Sequence, residues 1–136
     1  WWNGERSPQA IRLTDARTGH AMAFAPYTEP IIRPLVDTHY PGARLGTIVL
    51  SCLPPQMGIK LHTDPDPAAA TRHRVHVPLV TNPHATLDFP RQQESVQMKV
   101  GSAYEIDSGL PHRAVNRGAD ARIHLIFDAH LERTAP

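Results

Sequence analysis

The chain has 136 residues, enough for one ordinary domain built around one core. Fourteen Lys and Arg stand against thirteen Asp and Glu, a formal net charge of +1, and aromatics are few, which argues against a nucleic-acid partner. No apolar run approaches the roughly 18 residues of a membrane span, and the opening "WWNGERSPQ" lacks the apolar centre of a signal peptide.

Trp1 rather than Met opens the chain, which is compatible with removal of an upstream segment. Fourteen prolines and eight glycines cut the sequence into short pieces. The one helix pattern is "TEPIIRPLVDTHY", residues 28–40, with Thr28 as its cap and Ile31, Ile32, Leu35 and Val36 as an apolar stripe. Pro34 falls in its early turns or kinks it, and "YPGA" stops it. From Arg44 onward the pattern is β, with strands expected near 45–53, 59–63, 72–80, 85–89, 95–100, 103–107, 112–117 and 121–128. Turn signals such as "LPPQMG", "TNPH", "DSGLP" and "NRGAD" separate them, a spacing that suggests a sandwich or barrel. Residues 1–136 are expected to form a single domain, with 1–43 as a helical support and 44–130 as the β core.

Cys52, the single cysteine, rules out an intrachain disulfide framework and points to a reducing, cytoplasmic compartment. Its apolar neighbours favour a buried structural thiol over a nucleophile. In "RHRVHVPLV", Arg72, Arg74 and His76 share one face, and Val75, Val77 and Leu79 share the other. In "ARIHLIFDA", Arg122 and His124 lie opposite Ile123, Leu125 and Phe127. Such polar faces are by default solvated; the alternative is that they line a wet pocket in a barrel mouth.

The chemistry concentrates at "LHTDP". Alternate residues of a strand point the same way, so His62 and Asp64 can present an imidazole and a carboxylate to one ion. Two His and one carboxylate form the facial triad of iron(II) oxygenases, and zinc hydrolases use similar donors. By itself the motif is weak, since nine His and eight Asp produce roughly half an H-x-D by chance. His112, in "DSGLPHRAVN", is the best third ligand. Asp66 rivals Asp64, but Pro65 and Pro67 flank it and favour a turn. His20, His39, His73, His84 and His130 have no matching partners and read as surface or structural. Arg122, ten residues beyond His112, supplies the cation that a metal-chelating dicarboxylate needs at its far end. Ser51, eleven residues before His62, adds a hydroxyl donor.

The segments "LSCLPPQMGIKLHTDP", "RVHVPLVTN", "YEIDSGLPHRAVN" and "RIHLIFD", taken together in this order and spacing, resemble the aspartyl/asparaginyl β-hydroxylase family of iron(II)- and 2-oxoglutarate-dependent oxygenases. The resemblance runs from Arg44 to Asp128 and implies a mainly β fold, the double-stranded β-helix or distorted jelly roll of cupin-like proteins, with short N-terminal helices. It places metal ligands at His62, Asp64 and His112, and 2-oxoglutarate contacts at Ser51, Arg74, His76 and Arg122. Some animal members carry glycine at the carboxylate position, whereas Asp64 completes the triad here, as in many bacterial relatives.

The activity the resemblance implies is hydroxylation of a C–H bond at the expense of dioxygen and 2-oxoglutarate, with succinate and carbon dioxide as coproducts. An amino acid or a peptidyl Asp- or Asn-like side chain is the expected substrate. Arg72, Arg113 and Arg117 read equally as receivers of a substrate carboxylate or as a solvated surface. Rival readings are a non-catalytic metal-binding cupin-like sensor, a zinc hydrolase or isomerase on a similar barrel, and an oxygenase acting on an acylated lipid.

Overall fold

The computed structural model describes residues 9–12, 20–64 and 71–131. The elements are β1 (Gln9–Arg12), α1 (His20–His39), β2 (Arg44–Leu53), β3 (Met57–His62), β4 (Arg72–Val80), β5 (Ala85–Phe89), β6 (Glu94–Val96), β7 (Tyr104–Ile106), β8 (His112–Asn116) and β9 (Arg122–His130). From β2 onward the chain crosses repeatedly between two antiparallel sheets. The major sheet has the order β1-β2-β9-β4-β7 and the minor sheet β3-β8-β5-β6. This is the expected double-stranded β-helix, mainly β and cupin-like. The segment expected to be helical also contributes β1, an edge strand paired with β2 from Gln9↔Cys52 to Arg12↔Val49. No helix among the described residues is long and apolar enough to cross a membrane.

The helix starts eight residues before the expected 28–40. The Ala-rich "HAMAFA" favours helix, so Thr28 lies in the interior, buried, with its hydroxyl donating to the Phe24 carbonyl at 3.1 Å instead of capping. Pro26, Pro30 and Pro34 sit inside the helix at four-residue spacing, all exposed. Each lacks an N–H, and the carbonyls that Pro30 and Pro34 leave unpaired belong to Pro26 and Pro30 on that same wet face. Water can satisfy them there, which is why three prolines are tolerated. Opposite, Ile32, Val36 and Tyr40 form an i, i+4, i+8 stripe that packs on Val75 and Val77 of β4 and Leu125, Phe127 and Ala129 of β9. Burial of Ile32 and Val36 contributes about 1.5–3 kcal/mol each. Gly42, at φ +79°, sits in the turn after the helix, where the Ala43 amide donates to the Tyr40 carbonyl, in the left-handed conformation that glycine adopts without strain.

The major sheet thus has a dry outer face under the helix. Its inner face divides in two. At one end Leu53 meets Leu87, Phe89, Met98 and Ala114 in a second apolar cluster between the sheets. Next to that cluster, beginning at Arg122, the cross-strand partner of Leu53, the inward face carries the polar Ser51, Arg74, His76 and Arg122 beside apolar Val49 and Ile126. The expected solvated polar face is therefore not what β4 and β9 carry, since His76, Arg122 and His124 are all buried.

Two turns are tied together below this interior. Gln56, at φ +60°, donates through Nε2 to the carbonyls of Arg117 (2.6 Å) and Gly118 (3.0 Å). Asn116, 1% exposed, donates through Nδ2 to Leu53, Pro54 and Asp120 carbonyls at 2.9–3.1 Å. Its Oδ1 accepts from the Gly118 amide and the Asn82 side chain. The strand expected at 95–100 shrinks to β6, because Met98 turns into the core and the Lys99 amide donates to the Tyr104 hydroxyl. Cys52 is half-buried rather than fully buried.

Candidate metal centre

Antiparallel pairing of β3 with β8 makes His62 and His112 direct cross-strand partners, after a register irregularity beyond Ile59. Their rings stand 4.5 Å apart, centroid to centroid. Asp64 lies two residues past His62, just beyond the strand end. The Ser108 carbonyl accepts from its amide at 2.9 Å, and Arg72 donates to its carbonyl at 3.0 Å and to the Ser108 hydroxyl at 2.7 Å. The loop before His112 thereby clamps the backbone that carries Asp64. One ligand atom from each of His62, Asp64 and His112 falls within 4.8 Å of the others. The rival carboxylate, Asp66, lies outside the described residues.

The tautomers suit metal binding. His62 Nδ1–H donates to the Lys60 carbonyl at 2.7 Å, and His112 Nδ1–H donates to the Leu110 carbonyl at 2.8 Å. Each ring therefore turns its Nε2 lone pair to Asp64, at 3.5 Å from Oδ1 for His62 and 3.8 Å from Oδ2 for His112. A backbone carbonyl on the far nitrogen is the usual partner of a metal-ligating histidine. Donor types, spacing and tautomers all fit a divalent ion.

Beside the triad opens a pocket of about 260 Å³. Ser51 from β2, Arg74 and His76 from β4, and Arg122 from β9 reach it from the major sheet, and His62, Asp64 and His112 from the minor-sheet side. The structure thus brings all seven sequence-derived residues to one cavity. Arg122 is 4% exposed, and among the described residues no carboxylate pairs with it. Burial pushes its pKa down to about 10, yet at neutral pH it stays a cation, with no counterion among the described residues. His76 and His124 lie with their Nδ1 atoms 3.4 Å apart. Burial and the Arg122 charge hold His76 well below the usual histidine range, and the same two causes take His124 to about 3. Both rings are therefore neutral at ordinary pH.

Arg74 lines the pocket, but its guanidinium is engaged. Nε and Nη2 donate to the two oxygens of Asp128 at 2.8 Å each, and Nη1 donates to Asp64 Oδ2. The bond to Asp128 is the main reason its pKa is raised. Sequence reasoning missed Asp128; its signal was an acidic residue in phase with Arg122 and His124 in an otherwise apolar strand. Arg72, taken as a candidate for a substrate carboxylate, braces the Asp64 loop instead. Arg113 pairs with Asp88 at 3.1 Å, and Arg117 is exposed.

The fold is similar to that of a viral collagen prolyl hydroxylase from Paramecium bursaria Chlorella virus-1, solved as its 2OG complex. The alignment covers 94% of this chain and 82% of that one at 11% identity, with a TM-score of 0.59. A prolyl-4-hydroxylase from Pseudomonas putida aligns over 94% of this chain and 74% of its own at 12% identity, with a TM-score of 0.56. Identities this low show a shared fold alone. No curated protein matches the sequence. The sequence model of the aspartyl/asparaginyl β-hydroxylase family matches residues 8–131, and the chain belongs to that family.

Proposed function

We propose that the protein is an iron(II)- and 2-oxoglutarate-dependent hydroxylase acting on a C–H bond of an amino acid or a peptidyl Asp- or Asn-like side chain. The observation that carries this reading is the pairing, in one pocket, of a preformed two-His, one-carboxylate cluster with a buried arginine that no carboxylate among the described residues compensates. His62, Asp64 and His112 would hold iron(II), each His through Nε2. With 2-oxoglutarate bound, that ion supplies the oxidation of an unactivated C–H bond, with dioxygen consumed and succinate and carbon dioxide as coproducts.

The chain's own contribution is placement. Arg122 offers a fork of donors to the far carboxylate of the cosubstrate, where a charge-assisted pair relieves the strain of a lone buried cation. Ser51, 7% exposed on the adjacent strand, adds a neutral donor. His76, kept neutral, hydrogen-bonds without adding positive charge beside the metal. Apolar Val49, Ile59, Leu87 and Ala114 complete the wall and limit water around the reacting atoms. A zinc hydrolase would leave Arg122 without an anion, and a sensor that binds metal alone would share that difficulty.

Anaerobic calorimetry with iron(II) and 2-oxoglutarate should show both binding. A screen of amino acids and Asp- or Asn-containing peptides should then pair succinate formation with a mass gain of one oxygen. His62→Ala and His112→Ala should each abolish substrate-stimulated succinate. Normal turnover in both variants would reject the ligand assignment, and metal binding without 2-oxoglutarate turnover on any substrate would favour the sensor.

A further inference from the structure

We propose that Asp128 is a positioning residue of the metal centre, gripping Arg74 so that Arg74 holds one oxygen of Asp64 while the cluster keeps a net negative charge for the ion. The inference rests on the metal-centre reading above and assigns its unmatched component.

Arg74 and Asp128 are direct cross-strand partners on β4 and β9. Their bond is the two-pronged kind, Nε to Oδ1 and Nη2 to Oδ2, both 2.8 Å, with Asp128 only 3% exposed. Such a pair fixes the plane of the guanidinium. The remaining nitrogen, Nη1, is then fixed in place, and Asp64 Oδ2 accepts from it. With Oδ2 occupied, Oδ1 is the oxygen left to a metal, on the side of His62 Nε2. The backbone clamp by Ser108 and Arg72 places the Asp64 main chain; Arg74 places its carboxylate.

Charge gives the second half of the argument. Arg74 alone would neutralise Asp64 and set a cation beside the site of a dication, which like-charge repulsion disfavours in a half-dry pocket. Asp128 cancels that charge. The three groups together carry one net negative charge, and Asp64 is the carboxylate among them that the two imidazoles face. Asp128 also takes one edge of the guanidinium, Nε and Nη2, and Asp64 takes Nη1, so Arg122, not Arg74, is the cation left for a cosubstrate.

The test is manganese(II) binding to metal-free protein without 2-oxoglutarate, read from the free-ion paramagnetic resonance signal, with folding of each variant checked by thermal unfolding in chelator. Asp128→Asn leaves Arg74 uncompensated and should weaken manganese about 10–100-fold, the range for partners that orient metal ligands. The double variant Arg74→Met/Asp128→Leu leaves no lone buried charge and should fold even where Asp128→Asn does not. It restores the charge of Asp64 but not its placement, so its affinity should lie between wild type and Asp128→Asn. Wild-type affinity in a folded Asp128→Asn, or in the double variant, overturns the proposal, and so does a double variant that binds no better than the single one. A wild-type protein that binds no manganese overturns the metal-centre reading itself, a result distinguishable from these.

Discussion

Replacing Arg122 with methionine should move two properties in opposite directions. In the free protein the guanidinium is 4% exposed and has no carboxylate partner among the described residues. Its pKa, pushed down to about 10 by burial, corresponds to about 3 kcal/mol of unfavourable desolvation. Methionine fills similar space without charge, so metal-free Arg122→Met should gain about 1–3 kcal/mol in urea unfolding, in line with apolar replacement of other buried charges. The same change removes a charge-assisted anchor of about 1.5–3 kcal/mol. Affinity for 2-oxoglutarate should fall about 10- to 150-fold, measured by anaerobic calorimetry on manganese-loaded protein. Unchanged 2-oxoglutarate affinity would reject the anchor. Lower stability of the metal-free variant would show that the buried charge is already compensated and that the energetic argument is wrong.

Two further predictions concern stability. His76 and His124 are held neutral by burial while the unfolded chain titrates near 6.5, so below that pH the unfolded state binds protons that the folded state does not. Stability should be level above about pH 7 and fall as pH drops, by about 1.4 kcal/mol per pH unit for each ring once well below 6.5; constant urea midpoints from pH 7.5 to about 5 would contradict this. Asn116→Ala strips the donor from the Leu53, Pro54 and Asp120 carbonyls and the acceptor from the Gly118 amide. It should destabilise by at least about 2 kcal/mol, whereas a change within about 0.5 kcal/mol would place Asn116 among ordinary surface positions.

The fold and the seven pocket residues were legible because they combine local spacing with side-chain chemistry. His62 and Asp64 are two apart, Ser51 and Arg122 carry obvious donors, and strand periodicity marks β4 and β9. What escaped depended on tertiary partners. The sequence puts Arg74 on the polar face of its strand, but only the β4–β9 register reveals that Asp128, 54 residues away, claims it. Arg72 reads as a free cation until the Asp64 loop folds over it. β1 escaped because four residues, "QAIR", are too short for a period and gain their identity from an edge of β2. Helix α1 was cut short because Thr28 reads as an N-cap, whereas in the fold its hydroxyl donates to the Phe24 carbonyl within a helix already under way.

The division of labour between the sheets has a consequence for selectivity. The triad is carried by strand β3, its trailing loop and strand β8, whereas the candidate anion contacts ride on β2, β4 and β9 of the opposing sheet. On the proposed reading, one end of the cosubstrate is gripped by each jaw, and the gap between stacked sheets is the calliper that measures it. Facing sheets keep a separation of about 10 Å set by the side chains wedged between them. Here those wedges are Leu53, Leu87 and Phe89. On that reading, the length of diacid the pocket would accept is governed by apolar residues that carry none of its polar contacts.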